Sequence, residues 1–362
     1  MNNTITSAVF SARGKYMNAQ LGLHAPIKQT AQPMSDEWRR WIAENLLLGA
    51  HPATLENVLQ KNSFSLHTAR LEISAALSSP YFQGVQRLKN RLDKRDWVLA
   101  INAKLDQIQP LVLERQHQLS GEQFLHDYYQ QNRPVIITGM LDDCPARSRW
   151  NLAWFREHFS ERQVEVQFGR NSDANYEMNS IAHKRQMRFG EYVDLVEKSG
   201  HSNDMYMTAN NDSSNRKALN ELWEDVPSLP EYLKTDQGRQ GFFWFGPAGT
   251  ITPFHHDLTN NFMMQIMGRK RVKLIAPCHL AKLQNERHCF TPVDGRNIDL
   301  TRFPQMRDVP VLECVLEPGE ILFLPVGWWH FVESLDISVT IAATNFRWDN
   351  DFFSNYPANH DF

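Results

Sequence analysis

The segment Thr250-Ile-Thr-Pro-Phe-His-His-Asp257 places an imidazole and a carboxylate two residues apart. It reads as a strand entering a turn. Successive side chains on a strand point to opposite faces, so His255 and Asp257 share one face and His256 takes the other. Such a pair chelates a single ion without distorting the backbone. A third donor comes from far along the chain. Pro318-Gly-Glu-Ile-Leu-Phe-Leu-Pro325 reads as a tight turn into a buried strand, and after a bend at 325–327 His330 emerges behind Trp328 and Trp329. Taken alone, a histidine leaving so apolar a strand suits a satisfied core residue. Beside His255 and Asp257 it completes two histidines and one carboxylate. That facial triad leaves three positions of an octahedral ion open, as in non-haem Fe(II) oxygenases. Zinc hydrolases use the same donor types, but usually with both histidines on one helix beside a glutamate base. No His-Glu-X-X-His occurs here and the pair lies on strand-like sequence, which favours iron.

An oxygenase of this kind requires a two-electron reductant. 2-Oxoglutarate would chelate the iron through its C1 carboxylate and keto oxygen, and its C5 carboxylate would then need a buried cation. Lys270, in Met267-Gly-Arg-Lys270, is placed for this on the strand following the triad strand. A Gly-Arg-Lys-Arg run equally suits a solvated hairpin turn. A half-broken buried ion pair costs about 3–5 kcal/mol, or about two to three and a half decades in affinity. One lysine could therefore decide whether the cosubstrate binds.

Stepping from these residues to the elements that must hold them, residues 114–362 read as a mainly β domain. Short β-branched runs stand between Pro, Gly, Asn and Asp punctuation: Pro134–Thr138, Val164–Phe168, Gly241–Phe245, Phe262–Ile266, Val272–Ile275, Val311–Leu316, Ile321–Leu324 and Ile337–Ala343. Many short strands at this spacing predict an all-β sandwich or barrel such as a double-stranded β-helix, or jelly roll. Helical insertions are expected near Asn151–Phe159, Phe189–Glu197 and Ala218–Leu222, with long functional loops at 176–186 and 279–306. Tyr176, Met178, Asn179, Arg347 and Asp349 are candidates for the substrate side, with loop geometry to decide among them.

Residues 34–113 read as a small all-α module. Trp38, Trp41, Ile42 and Leu46 follow one helix face, Gly49 stands at a C-terminal cap, and Pro52 suits the first turn of a second helix. Ser65 caps a third helix with Leu66, Ala69, Ile73 and Leu77 on one face. Pro80 opens a fourth with Val85, Leu88 and Leu92 inward, and Val98, Ile101 and Leu105 suggest a fifth. His51 and His67 suit cap or surface positions rather than ligation. Residues 1–33 form a polar, turn-rich arm without sustained period.

The chain is 362 residues long with formal net charge -3. No global basic field advertises a nucleic acid, although a local basic patch is compatible with the scattered lysines and arginines. Four cysteines, Cys144, Cys278, Cys289 and Cys314, show no Cys-X-X-Cys spacing and suit a reducing cytoplasm. Neither a secretory signal nor a membrane span is expected.

Two stretches resemble the JmjC-type, cupin-like hydroxylases. One runs from Phe243 through His255-His-Asp257 to Met267-Gly-Arg-Lys-Arg271. The other runs from Glu317-Pro-Gly-Glu through Gly327-Trp-Trp-His330 to Leu335. Arg133-Pro-Val-Ile-Ile-Thr-Gly-Met140 resembles the family's opening strand. Within the family the chain is similar to the asparaginyl hydroxylase acting on hypoxia-inducible factor and to the small JmjC protein hydroxylases, over about residues 119–348. The resemblance implies Fe(II) at His255, Asp257 and His330, and 2-oxoglutarate and O2 as co-reactants. It implies Lys270 and Thr252 at the C5 carboxylate, with Asn261 and Asn345 near the C1 end and the iron. Tyr206 resembles a tyrosine that also reaches the cosubstrate, and equally suits an inward strand aromatic. The C-terminal helices that dimerise some relatives do not follow the last strand here, and the helical module matches no familiar relative. Homodimerisation through that module stays open.

The implied reaction is oxidative decarboxylation of 2-oxoglutarate to succinate coupled to hydroxylation, with a side chain in a peptide or protein as the expected substrate. A tRNA base, a free amino acid or a natural-product peptide is the alternative within the class. A non-catalytic metal-binding scaffold is the alternative outside it. Demethylation of N-methyl-lysine is accessible to the same chemistry and ranks below hydroxylation, since no reader domain for such marks is visible.

Overall fold

Ser35, His51 and Ser65 each stand before a helix and each turns a side-chain acceptor onto a free backbone N–H. They do so at Trp38, Ala53 and Thr68, which satisfies donors that a helix start leaves unpaired. The helices they open are α1 (Asp36–Leu47), α2 (Pro52–Lys61) and α3 (Leu66–Ser78). The structure, a computed structural model, describes residues 34–108, 110–236, 241–285 and 287–356, so the arm expected over 1–33 lies outside the described residues. The chain divides into two compact units, one ending at Leu105 and one starting at Asp106.

In the first unit Ile42, Leu46, Leu55, Leu59, Ala69 and Ile73 close a small core. Trp38 packs edge-on against Trp41 and Phe64 beside it. Gly49 takes a φ of +86°, the left-handed cap expected of it. Two expectations are corrected. The fourth and fifth helices are one, α4 (Pro80–Ile108), because no breaker interrupts residues 93–97. Nor do Val85, Leu88 and Leu92 face inward: they are 46–57 % exposed, Val98, Ile101 and Leu105 are 40–55 % exposed, and α4 has no buried residue. At about 100° per residue the two triplets lie on roughly opposite sides of the helix, so no single neighbour covers both. Leu77, expected inward on α3, is also exposed.

The second unit is the expected jelly roll. Its strands are β1 (Glu114–His117), β2 (Val135–Thr138), β3 (Gln163–Phe168), β4 (Lys184–Arg188), β5 (Met205–Tyr206), β6 (Phe242–Gly246), β7 (Ile251–His256), β8 (Asn261–Met267), β9 (Lys270–Ile275), β10 (Leu312–Leu316), β11 (Ile321–Leu324), β12 (Trp329–Ser334) and β13 (Ser338–Ala343). Six pair in the order β1-β2-β11-β8-β13-β6 and four in the order β10-β9-β12-β7, with β4-β3-β5 as a small third sheet. Apart from the parallel β1–β2 pair, neighbours are antiparallel.

Strand alternation sorts the side chains into layers. Phe262, Met264, Ile321, Phe323, Val339, Ile341, Phe243 and Phe245 face the large core on one side of the six-stranded sheet. Ile136, Met263, Leu322 and Leu324 face back toward Val272, Leu274, Leu316 and Val332 of the four-stranded sheet. Residues 276–311 supply Leu283, Val293, Phe303 and Met306, which cover Ile251, Phe254, Trp329 and Phe331 on that sheet's far side. Among the described residues no helix is long and apolar enough to cross a membrane.

One irregularity matters for the site. On β12 His330 and Val332 are two apart, yet they pair with His255 and Thr252 of β7, which are three apart. The extra residue is a β-bulge at Pro253–Phe254. A proline, having no N–H for the ladder, is accommodated at such a position.

Candidate active site

His255 is the penultimate residue of β7, directly opposite His330 on β12, and Asp257 follows one residue after the strand closes. The two imidazole rings lie 4.1 Å apart. Asp257 Oδ1 is 3.7 Å from His255 Nε2, and its Oδ2 is 3.9 Å from His330 Nε2. Each Nδ1 meets a backbone carbonyl, that of Pro253 at 2.8 Å for His255 and that of Trp328 at 3.0 Å for His330. A carbonyl only accepts, so Nδ1 carries the proton and Nε2 keeps its lone pair turned to the cluster. His256 points away, its ring edge-on to Trp329 at 4.8 Å, as alternation requires. Burial and the neighbouring His330 hold His255 below its usual pKa. Burial pushes the Asp257 carboxyl up, but the two histidines and the Asn261 amide outweigh it and leave it below the carboxylate range. Each of the three thus turns an acceptor to the cluster, Nε2 of His255, Nε2 of His330 and the Asp257 carboxylate, a donor set that suits a divalent ion.

These donors line a cavity of about 780 Å³ that also receives Lys270, Tyr206, Thr252 and Asn261. Lys270 opens β9, the second strand after β7 rather than the next one, since β8 intervenes. Gly268, at a φ of +68°, makes the turn between them; a Cβ there would meet the Ile337 carbonyl at 2.2 Å. The lysine is 2 % exposed, and its Nζ donates to the Tyr206 hydroxyl at 2.9 Å. Among the described residues no carboxylate pairs with it, and burial alone lowers its pKa to about 7. The solvated-turn alternative for Lys270 is thereby excluded. Thr252 reaches the same cavity only because of the bulge, which brings a residue three before His255 onto its face. Asn261 donates from Nδ2 to Asp257 Oδ2 at 3.0 Å, and its buried Oδ1 has no hydrogen-bond partner.

Asn345 is not brought to the site. It does not line the cavity, and its Nδ2 donates to the Lys234 carbonyl at 3.0 Å. The preceding strand ends at Ala343, so Asn345 lies beyond the pleat that aims Thr340 and Ala342 at the cavity. Met178 and Asn179 do line it, whereas Tyr176 lines a neighbouring cavity of about 750 Å³. Arg347 and Asp349 line neither of these two.

Three contributors were not visible in the sequence. Arg170, fully buried, donates to Glu177 Oε1 at 2.7 Å and to the Ile251 carbonyl at 2.8 Å, and its guanidinium stacks on Tyr176 and Tyr206. It ties the start of β7 to the tyrosine that holds Lys270. Glu177 lines both cavities. Cys289, also at the cavity wall, is pushed up to about 12 by burial and by Asp257, so it stands beside the triad as a neutral thiol. Neither buried character nor ring stacking leaves a mark in residue spacing.

Residues 121–354 match the family described as the cupin-like domain. The chain belongs to that family. This cupin-like domain is 33 % identical over 253 residues to the lysine-specific demethylase JMJ30 of Arabidopsis thaliana, covering 66 % of this chain and 55 % of the relative. It is 29 % identical to lysine-specific demethylase 8 of Xenopus tropicalis, covering 62 % and 51 %. It is 24 % identical to the human tRNA wybutosine-synthesizing protein 5, covering 64 % and 77 %. The domain is of the JmjC type, as its sequence motifs implied. The chain spans about half the length of the first curated relatives it matches.

Proposed function

We propose that this cupin-like domain is an Fe(II)- and 2-oxoglutarate-dependent dioxygenase that hydroxylates a side chain in a peptide or protein. The carrying observation is Lys270, a buried ammonium without a counter-charge in the same cavity as two imidazoles and a carboxylate poised to bind metal. A dicarboxylate that chelates metal at one end and needs a cation at the other fits both features at once. The donor set supports Fe(II) on the same terms, since three donors on one side leave the other side of an octahedron free.

Bound iron and 2-oxoglutarate supply the chemistry, in which O2, 2-oxoglutarate and a C–H bond yield succinate, CO2 and an alcohol. The chain's own residues bind and orient. His255, Asp257 and His330 hold the metal, and Asn261 fixes the carboxylate. Lys270, with Tyr206 and Thr252, receives the C5 carboxylate. Leu324, Met263 and Phe290 line the cavity and limit water. A protein substrate is supported by the net charge of -3 and by the lysine-specific demethylases among the relatives. The proposed location is the cytoplasm, on the four free cysteines.

The test is 2-oxoglutarate decarboxylation by protein loaded with Fe(II) without oxygen and then exposed to it. A peptide library and total tRNA are supplied in separate arms. Succinate release stimulated by peptides, with one oxygen gained by a peptide in mass spectra, is the expected result. Stimulation by tRNA alone reassigns the substrate, and no turnover with iron bound removes the enzymatic reading.

A further inference from the structure

Asp106, Cys278 and His279 lie outside the site described above. Cys278 and His279 stand in the turn Pro277–Lys282, just after β9 ends. Asp106 stands in the last turn of α4, where the unit that holds β9 begins. One donor atom from each lies within 4.8 Å of the other two. The Cys278 thiol donates to Asp106 Oδ2 at 3.4 Å. His279 is 2 % exposed, and its Nδ1 has no hydrogen-bond partner. Buried polar nitrogens are almost always satisfied, so an orphan beside a thiol and a carboxylate calls for something that the side chains alone do not provide.

We propose that Asp106, Cys278 and His279 form a second metal site, for a thiophilic divalent ion of the zinc class. The donor set separates it from the triad. Thiolate with imidazole selects zinc-like ions, whereas two imidazoles and a carboxylate with open positions suit Fe(II). Zinc bonds of about 2.0–2.3 Å place tetrahedral donors roughly 3.5 Å apart, so donors now within 4.8 Å of one another draw together on binding. Three protein donors leave the fourth position to water. On binding, the metal–sulfur bond forms as the S–H bond breaks, and the proton leaves to solvent while Asp106 turns to the ion. Burial and Asp106 hold the metal-free thiol up at about 12, consistent with the hydrogen bond it makes. The site lies at the opposite end of β9 from Lys270, so its expected role is structural rather than chemical.

Cobalt(II) substitution of the full chain tests this, because a thiolate ligand gives a sulfur-to-cobalt charge-transfer band that the triad's donors cannot give. The band should lose at least nine-tenths of its intensity in Cys278→Ser and most of it in His279→Gln. It should persist in His255→Ala, and in Cys289→Ser, which controls for the thiol at the triad cavity. The His255→Ala protein should still retain about one zinc per chain after dialysis. Far-ultraviolet circular dichroism establishes that each variant is folded, and His279→Gln keeps the test open should Cys278→Ser not fold. A folded wild type without the band overturns the site, as does a band that survives Cys278→Ser or vanishes in Cys289→Ser.

Discussion

At one end of the cavity three donors converge, each held by a neighbour: His255 by the Pro253 carbonyl, His330 by the Trp328 carbonyl and Asp257 by the Asn261 amide. At the other end Lys270 rests on a single phenol, with its charge unanswered. The metal end is organised before anything binds. The lysine end is completed by what binds. Burial without a counter-charge costs stability in the free protein, and that cost is relieved when a carboxylate arrives, so the two ends should respond to substitution in different currencies of affinity.

The largest effect belongs to the metal end. His330→Ala should abolish iron retention and turnover beyond the roughly 10–100-fold that disturbing an outer partner costs, as read by metal analysis and succinate release. Lys270→Met comes next. Losing one partner of a buried pair predicts a 2-oxoglutarate affinity about 100- to 3,000-fold weaker, with kcat recovered at saturating cosubstrate. If kcat falls instead, the lysine does more than bind.

The same residue sets a pH dependence. Its folded pKa of about 7 lies below the ordinary value of 10.5. Between these values the unfolded chain binds the extra proton, so stability of the cosubstrate-free protein rises with pH through that window. Cosubstrate affinity should fall over the same window as the ammonium is lost. Thermal melts and binding titrations at pH 6 to 9 check both, and Lys270→Met should flatten both slopes. Asn261→Ala should cost about 10–100-fold in iron affinity. Tyr206→Phe, which removes one hydrogen bond, should weaken 2-oxoglutarate binding about fivefold. Asn345→Ala should leave cosubstrate binding within twofold, since its Nδ2 is held by the Lys234 carbonyl and the residue does not line the cavity.

The same contrast explains what the sequence made legible. The metal end was readable because its donors are rare residue types and two of them follow the parity of a strand. The strands were readable because alternating runs such as Phe262–Ile266 declare two faces. What escaped depended on contacts across the chain. Arg170 and Glu177 meet Tyr206 and β7 only in the fold, and their spacing says nothing of it. Asn345 fits a motif by position, but the pleat has ended before it. The apolar triplets of α4 obey helical periodicity without a partner to bury them, a reminder that period reports a face and not its cover.

The bulge at Pro253 acts as a phase shifter along β7. A regular strand would send Thr252 to the far side, among Phe254 and Phe331, whenever His255 faced the metal. The inserted residue resets the parity once, so one strand serves the metal end in one phase and the lysine end in the other. Deleting that residue would leave His255-His256-Asp257 paired with His330 and set Thr252 two before His255, still on the cavity face, so the bulge is what lets a three-residue spacing present both residues to one cavity.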